Sequence, residues 1–342
     1  MEKTFSVIGP SQPISFDFEE ESPWKFFKDT FFINGWEFKE QPEEAAFLIS
    51  LNHHKSFDTF STDICLPGRR VLVMMEPNCV SPVSHKVRNQ KLYGAIFSPS
   101  PNWVRSSDCR LFRWPNTDKS LYDEQKNWSE RKSRFAFIQS NNFSFVKGEF
   151  YSLRRRVINN ASSVIDVAGS GWRDPYLKVK ARQLRALHRA LEGSWRNIDL
   201  KSGRVSRPAV GRYLGKIADK ISFLEEYKFS LVIENCDSYV SEKLVDAIVA
   251  GTIPLYIGGN LEIAGLPNDV ARISKPHVSS IEREILDLLS DESGAREILQ
   301  AGRRYLESEQ YKVSVNSIAL RNLASQILEF FNQKIEESKA FS

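Results

Sequence analysis

The stretch from Tyr227 to Gly259, YKFSLVIENCDSYVSEKLVDAIVAGTIPLYIGG, restricts the fold more than any other part of this chain. Phe229 to Ile233 is a short apolar run rich in β-forming residues, as a strand buried on both faces requires. Glu234 to Ser238 interrupts the run with turn formers. Ser241 stands where it can cap a helix carrying Leu244, Val245, Ile248 and Val249 at helical spacing, and Gly251 stops that helix. Ile253 to Ile257 is the next strand, closed by Gly258 and Gly259. Strand, helix and strand in close succession predict a βαβ unit. Its polar residues fall at the carboxyl end of the first strand, where open α/β sheets bind ligands.

The rest of the chain repeats this rhythm. With 342 residues, 41% hydrophobic and 26% charged, it has the size of two globular domains, each able to bury its own core. In the first, Lys3–Ile8, Ala45–Leu51, Val71–Met75 and Ala95–Phe97 read as strands, Ser22–Phe32 as a helix, and Trp103 with Leu111–Phe112 as a further short strand. The polar segment 116–132 reads as a linker or surface helix. A second α/β domain, 133–315, begins with the strand Phe135–Ile138. A helix over 148–157 and a strand over 164–168, ending in Gly169-Ser170-Gly171, follow. Residues 173–212 are basic and show no clear strand, which predicts an insertion or a helix packed outside the sheet. Ser279–Leu289 and Glu297–Glu307 read as helices. The segment 316–342 carries an amphipathic helix with Ile318, Leu320, Leu323, Ile327, Leu328, Phe331 and Ile335 on one side. Core packing is the leading reading of that stripe, with dimerisation or peripheral membrane contact as alternatives.

Bulk properties exclude several classes. The net charge of +4 is mild and does not call for nucleic acid. No apolar run reaches the roughly 18 residues of a membrane span. The start, MEKTFSVIGPSQ, lacks the basic region and apolar stretch of a signal peptide. The four cysteines have no CxxC spacing and fit a reducing cytoplasm. No Walker loop, GxGxxG or HExxH occurs, and no Asp-x-Asp closes an apolar strand.

The pattern of Tyr227, Lys228, Phe229, Glu234, Asn235, Tyr239, Val240, Ser241, Glu242, Lys243, Leu244, Ala247, Ala250, Gly251, Pro254 and Gly258 resembles the donor-binding signature of the α-1,3/1,4-fucosyltransferases, glycosyltransferase family 10. The resemblance covers residues 133 to 275. It implies GT-B architecture: an N-terminal acceptor-binding domain, 1–115, and a C-terminal GDP-fucose-binding domain, two Rossmann-like domains facing across a cleft. It also implies inverting transfer of fucose to a glycan hydroxyl, in α-1,3 linkage, with no cofactor. Animal members carry a membrane anchor and stem; the likeness here is to the bacterial cytoplasmic type.

Such transfer needs a neutralised diphosphate, a grip on the nucleoside and a base for the acceptor hydroxyl. Lys243, in the first turn of the helix, suits a diphosphate. Glu242 reads either as a first-turn carboxylate favouring the helix dipole or, on the resemblance, as a contact to ribose or fucose hydroxyls. Glu234 and Asn235 end a buried strand and either line the cleft or shape the turn. Tyr239 either stacks near the donor sugar or packs on the strand. Ser140, Asn141 and Asn142 after the strand FAFIQ form a second half-site. Counting back from Phe150-Tyr151, the family's phosphate-binding arginine falls on Lys147, which keeps the charge but not the bidentate fork. Arg154, Arg155 and Arg156 lie nearby, with at least one expected to face solvent. Glu76 closes the strand RRVLVMM and matches the family's base; a turn carboxylate paired with Arg69 or Arg70 is the alternative. His53, His54 and His85 could line the acceptor side or be ordinary polar sequence, and no metal is expected. Two other readings stay open: a GT-B transferase with another nucleotide sugar, and a non-catalytic nucleotide-sugar-binding protein.

Overall fold

The structure, a computed structural model, describes residues 2–9, 22–53, 66–105, 109–121, 127–172, 176–178, 198–199, 204–206 and 212–340. The chain forms two compact units. The first comprises Met1–Asp118, Glu262–Leu266 and Ser308–Ser342; the second comprises Lys119–Leu261 and Pro267–Glu307.

The first unit is built on β1 (Thr4–Ile8), α1 (Lys25–Ile33), β2 (Glu37–Phe38), β3 (Phe47–Leu51), β4 (Arg70–Val73), α2 (Val87–Gln90), β5 (Ala95–Ser98) and β6 (Cys109–Leu111). All its strands run parallel in the order β2-β1-β3-β4-β5-β6. β1, β4 and β5 are buried from end to end, which is why they appear in the sequence as unbroken apolar runs. The order reverses between β1 and β3, so this is the switch point of a doubly wound sheet, and β3 and β4 carry their carboxyl ends beside it.

The second unit contains β7 (Lys132–Ile138), α3 (Tyr151–Asn160), β8 (Ile165–Ala168), β9 (Tyr176–Lys178), β10 (Ile198–Asp199), β11 (Arg204–Ser206), α4 (Lys220–Leu224), β12 (Tyr227–Ile233), α5 (Glu242–Val249) and β13 (Ile253–Ile257). A single turn α6 (Leu261–Ala264), β14 (Arg272–Ile273), α7 (Val278–Ser290) and α8 (Glu292–Glu307) complete it, with Glu262–Ala264 grouping with the first unit. The parallel sheet has the order β14-β13-β12-β7-β8, so its switch point lies between β7 and β12. The basic region 173–212, expected to lack strands, contributes β9, β10 and β11 to a small antiparallel sheet. Strands of two or three residues are too short to leave a periodic signature.

One buried charge ties three of the large sheet's members together. Asp166 in β8 has no exposed surface and pairs with Arg134 at 2.9 Å and Arg212 at 3.4 Å. It also accepts a 2.9 Å hydrogen bond from the Tyr227 hydroxyl. Burial and this acceptor push the Tyr227 phenol well above its usual range. A buried carboxylate with two guanidinium partners and a hydroxyl is compensated, whereas loss of any partner would leave it costly.

The chain ends with α9 (Glu309–Lys312) and α10 (Asn316–Ala340). Leu320, Leu323, Ile327, Leu328, Phe330, Phe331 and Ile335 of α10 share one core with β1, β3, β4 and β5. Phe331 lies among Phe47 at 4.4 Å, Trp36 at 5.5 Å and Phe31 at 6.4 Å between ring centroids. The stripe read from the sequence is therefore packed inside the first unit. Ile318 departs from it, being 42% exposed. Among the described residues no helix is long and apolar enough to cross a membrane.

Candidate functional site

The switch point of the second unit gathers the polar residues of the 227–259 stretch. β12 ends at Ile233, and Glu234 follows with no exposed surface. Its backbone N–H stays in register, donating to the Ile257 carbonyl at 2.8 Å. Its carboxylate turns toward the start of α5, accepting from the Ser241 N–H at 2.7 Å and from the Ser241 hydroxyl at 2.9 Å. The Lys243 ammonium lies 3.4 Å from Glu234 Oε2 and donates to Ser241 Oγ at 2.6 Å, and it sits 5.6 Å from the Tyr239 ring centre. Burial pulls the Lys243 ammonium down, but Glu234 and Glu242 more than offset this and hold it above its ordinary 10.5. The group is a fixed cation in the first turn of a helix, and 22% of its side chain remains exposed.

Ser241 occupies the N-cap position with extended backbone, but its hydroxyl does not cap the helix. It bridges Glu234 and Lys243 instead. The far end of α5 is held differently: Gly251 takes a left-handed φ of 66°, and buried Arg131 donates to the Ala250 and Gly251 carbonyls at 2.8 and 3.0 Å. Burial lowers the Arg131 pKa from its ordinary value. Gly258 and Gly259 let the next turn approach the site. A Cβ on Gly258 would collide with the Tyr256 hydroxyl and reach 2.6 Å from Glu234 Cγ; one on Gly259 would come within 2.9 Å of the Tyr239 backbone.

The β7 side reaches across to β12 through α3. The Phe150 N–H donates to the Asn235 carbonyl at 2.8 Å. Arg154, buried, donates to the Ile233 carbonyl through Nε at 2.9 Å and through Nη2 at 2.6 Å, and to Asn235 Oδ1 at 2.9 Å. Residue type alone does not separate Arg154 from Arg155 and Arg156. The helical phase could have marked it, since Tyr151, Arg154 and Ile158 fall on one stripe and all are buried. Arg155 donates to the Asn142 carbonyl at 2.7 Å, and Arg156 is the exposed member of the trio. Asn142 and Lys147 are both exposed; among the described residues Lys147 makes no hydrogen bond or ion pair. A cavity of about 400 Å³ opens beside β7 and β12, and Gln139, Ser140, Ser170, Lys216, Lys220 and Lys243 are among its lining residues.

The sequence leaves Glu234 between lining the cleft and shaping the turn, and Tyr239 between stacking near the donor sugar and packing on the strand. Glu234, Tyr239 and Ser241 are buried, at 0%, 3% and 2% exposure, and Glu234 braces Ser241 and Lys243 at the start of α5. Asn235, Glu242 and Lys243 keep part of their surface.

In the first unit, Glu76 lies just beyond β4 and is half-buried. The Met75 and Glu76 N–H groups both donate to Asn52 Oδ1, at 2.9 and 3.1 Å. His85 Nε2 stands 3.0 Å from the Glu76 carbonyl. A carbonyl only accepts, so Nε2 carries the proton. Burial holds the His85 pKa below its ordinary 6.5, with Arg105 acting in the same direction. His53 is buried; its N–H donates to Ser84 Oγ at 2.8 Å and its Nδ1 lies 2.9 Å from the Tyr93 hydroxyl. His54 lies outside the described residues.

No protein-family model matches this sequence, and no curated protein does. Solved structures share its fold at low identity. An α1,3-fucosyltransferase, also determined with GDP, matches at a TM-score of 0.53 and 15% identity over 98% of this chain and 91% of that one. An α-glucosyltransferase in complex with UDP and a 13-mer DNA matches at 0.52 and 12% identity over 95% and 99%. HepE of Anabaena in complex with UDP and glucose matches at 0.51 and 12% identity over 99% and 100%.

The fold is that of the GT-B glycosyltransferases. Two parallel α/β sheets, one in each unit, agree with it.

Proposed function

We propose that the chain is a glycosyltransferase that uses a nucleoside diphosphate sugar, with GDP-fucose as donor and a glycan hydroxyl as acceptor. The observation that carries this reading is the Lys243 ammonium, fixed by Glu234 and Ser241 in the first turn of α5 at the sheet's switch point. A cation there and the helix terminus together suit a departing diphosphate. The neighbouring cavity of about 400 Å³ is within the usual size range of small-molecule sites. The choice of fucose rests on the likeness of residues 227–259 to the family 10 signature.

In this reading the acceptor oxygen bonds to the anomeric carbon as the carbon–phosphate oxygen bond breaks. The acceptor proton passes to the Glu76 carboxylate, and the charge gained by the diphosphate is met by Lys243, with no metal ion taking part. GDP and GDP-fucose should raise the melting temperature, by the equivalent of about 2.7 kcal/mol at a hundred times Kd. Transfer to a glycan panel should proceed in EDTA. Equal stabilisation by UDP and GDP would remove the fucose assignment and leave a transferase for another nucleotide sugar. Binding without turnover on any donor would leave a nucleotide-sugar-binding protein.

A further inference from the structure

Asn52 is the only non-glycine residue at positive φ among the described residues, at 58°. It follows β3 directly, at the switch point of the first unit. Its own N–H donates to the Val73 carbonyl at 2.9 Å, and its carbonyl accepts from the Ser50 hydroxyl at 2.6 Å. The left-handed turn sends its side chain over the end of β4, where the single oxygen Oδ1 receives the N–H groups of both Met75 and Glu76. Those two donors lie beyond the last ladder residue of β4, so no strand partner is supplied by the sheet. His85 grips the same peptide segment from its other side, through the Glu76 carbonyl. Its imidazole lies 5.3 Å from the Trp103 ring, which fixes its orientation.

We propose that Asn52 is a positioning residue for the Glu76 carboxylate, with His85 as its counterpart on the Glu76 carbonyl. The inference rests on the reading of Glu76 as base. A backbone held at N–H and C=O fixes the Cα–Cβ direction of Glu76, and with it the side from which the carboxylate is presented to an acceptor hydroxyl. Asparagine suits this role twice over: it tolerates the left-handed region better than other non-glycine residues, and it offers a neutral acceptor. Glycine would keep the turn and lose the clamp. Aspartate would keep both, and it would add a negative charge near Glu76.

The experiment compares Asn52→Gly, Asn52→Asp and Glu76→Gln for transfer rate, GDP affinity and pH profile. Asn52→Gly should lower kcat by about 10²-fold, the scale of an ångström-level misplacement, with GDP affinity unchanged. Asn52→Asp should recover most of that rate and move the acidic limb of the pH profile upward, because a like charge disfavours ionisation of Glu76. A merely structural role would lower the melting temperature of Asn52→Gly and leave kcat per folded molecule at the parental value. Parental kcat in Asn52→Gly, with Glu76→Gln inactive, overturns the positioning role and leaves the base reading intact. Parental turnover in Glu76→Gln overturns both. An Asn52→Asp variant that folds, yet does not recover rate above Asn52→Gly at a pH where Glu76 is ionised, also overturns the positioning role.

Discussion

Replacing Glu234 by glutamine separates a brace from a ligand contact. The substitution keeps volume and one oxygen, which can still accept the Ser241 N–H seen at 2.7 Å. It removes the charge that assists two hydrogen bonds from Ser241, worth about 1 kcal/mol each above neutral bonds. It also removes the partner of Lys243 at 3.4 Å. At an effective dielectric of about 20 that attraction is roughly 5 kcal/mol, much of it cancelled by desolvation and by solvent at the 22% exposed lysine. The expected loss is about 2–4 kcal/mol, or roughly 5–15 °C in melting temperature for a unit of this size. The loss should depend on pH in a defined window. The folded protein holds the Lys243 ammonium above 10.5. Its contribution to stability is therefore complete below 10.5 and disappears as pH rises through the raised folded value. Without Glu234, burial dominates and that contribution is absent at every pH. Melting curves of parent and variant should differ fully at pH 8 and draw together as pH rises through the raised Lys243 value, keeping the part of the difference that comes from the two Ser241 hydrogen bonds. A difference under 2 °C at pH 8, with GDP affinity nonetheless reduced tenfold, would refute the brace and make Glu234 a direct contact to the donor.

Substitutions at three further positions test the surrounding structure. Phe331→Ala should cost about 3–5 kcal/mol in urea unfolding, because α10 fills the core of the first unit with this ring; a loss under 1 kcal/mol would mean that α10 packs elsewhere. Gly258→Ala should destabilise by about 1–3 kcal/mol and weaken GDP binding together, since the new methyl displaces Tyr256 and Glu234; an unchanged affinity and melting temperature would refute that crowding. Lys147→Ala should weaken GDP binding in calorimetry and Lys147→Arg should retain or improve it, because an exposed cation gains a bidentate fork; parental affinity in Lys147→Ala would exclude Lys147 from the phosphates.

The strands legible in the sequence were the ones with both faces buried. FLISL, RVLV, FAFI, FSLVI and IPLYI are apolar because helices or core cover both sides of a parallel sheet. β2, with only Glu37 and Phe38 and an exposed first residue, left no such trace. The short helix α4 also went unread, although Asp219 announces it by accepting the Ile221 and Ser222 N–H groups. The return of Glu262–Leu266 and Ser308–Ser342 to the first unit was not legible either, because periodicity reports which face of a helix is apolar and not which core receives it.

The site shows a sharper limit of the same kind. A polar residue at a strand's carboxyl end has the same sequence signature whether it meets a ligand or a neighbouring helix. Glu234 and Ser241 face inward and Lys243 partly outward, yet all three stand within ten residues of one another. Arg154 was hidden for the converse reason: in RRR the three side chains look alike until the helical phase sends one to the core.

That division of roles bears on donor choice. Lys243 presents a single charge at a helix terminus, with its orientation fixed by Ser241 and Glu234. A point charge of this kind answers to the diphosphate, which every nucleotide sugar carries, and has no means of telling guanine from uracil. Lys243→Ala should therefore weaken GDP and UDP by the same factor and leave their ratio at the parental value. kcat should fall with affinity, since the same charge meets the leaving group in the transition state. Removing the ammonium also leaves buried Glu234 with Ser241 alone, so the melting temperature should fall as well. Lys243→Arg restores a cation and should recover stability ahead of rate, because the larger guanidinium cannot occupy the 2.6 Å contact to Ser241 Oγ with the same aim. A Lys243→Ala variant whose GDP-to-UDP ratio changes would place the side chain against the base or the sugar, and the diphosphate would then need another cation among those lining the neighbouring cavity, Lys216 or Lys220.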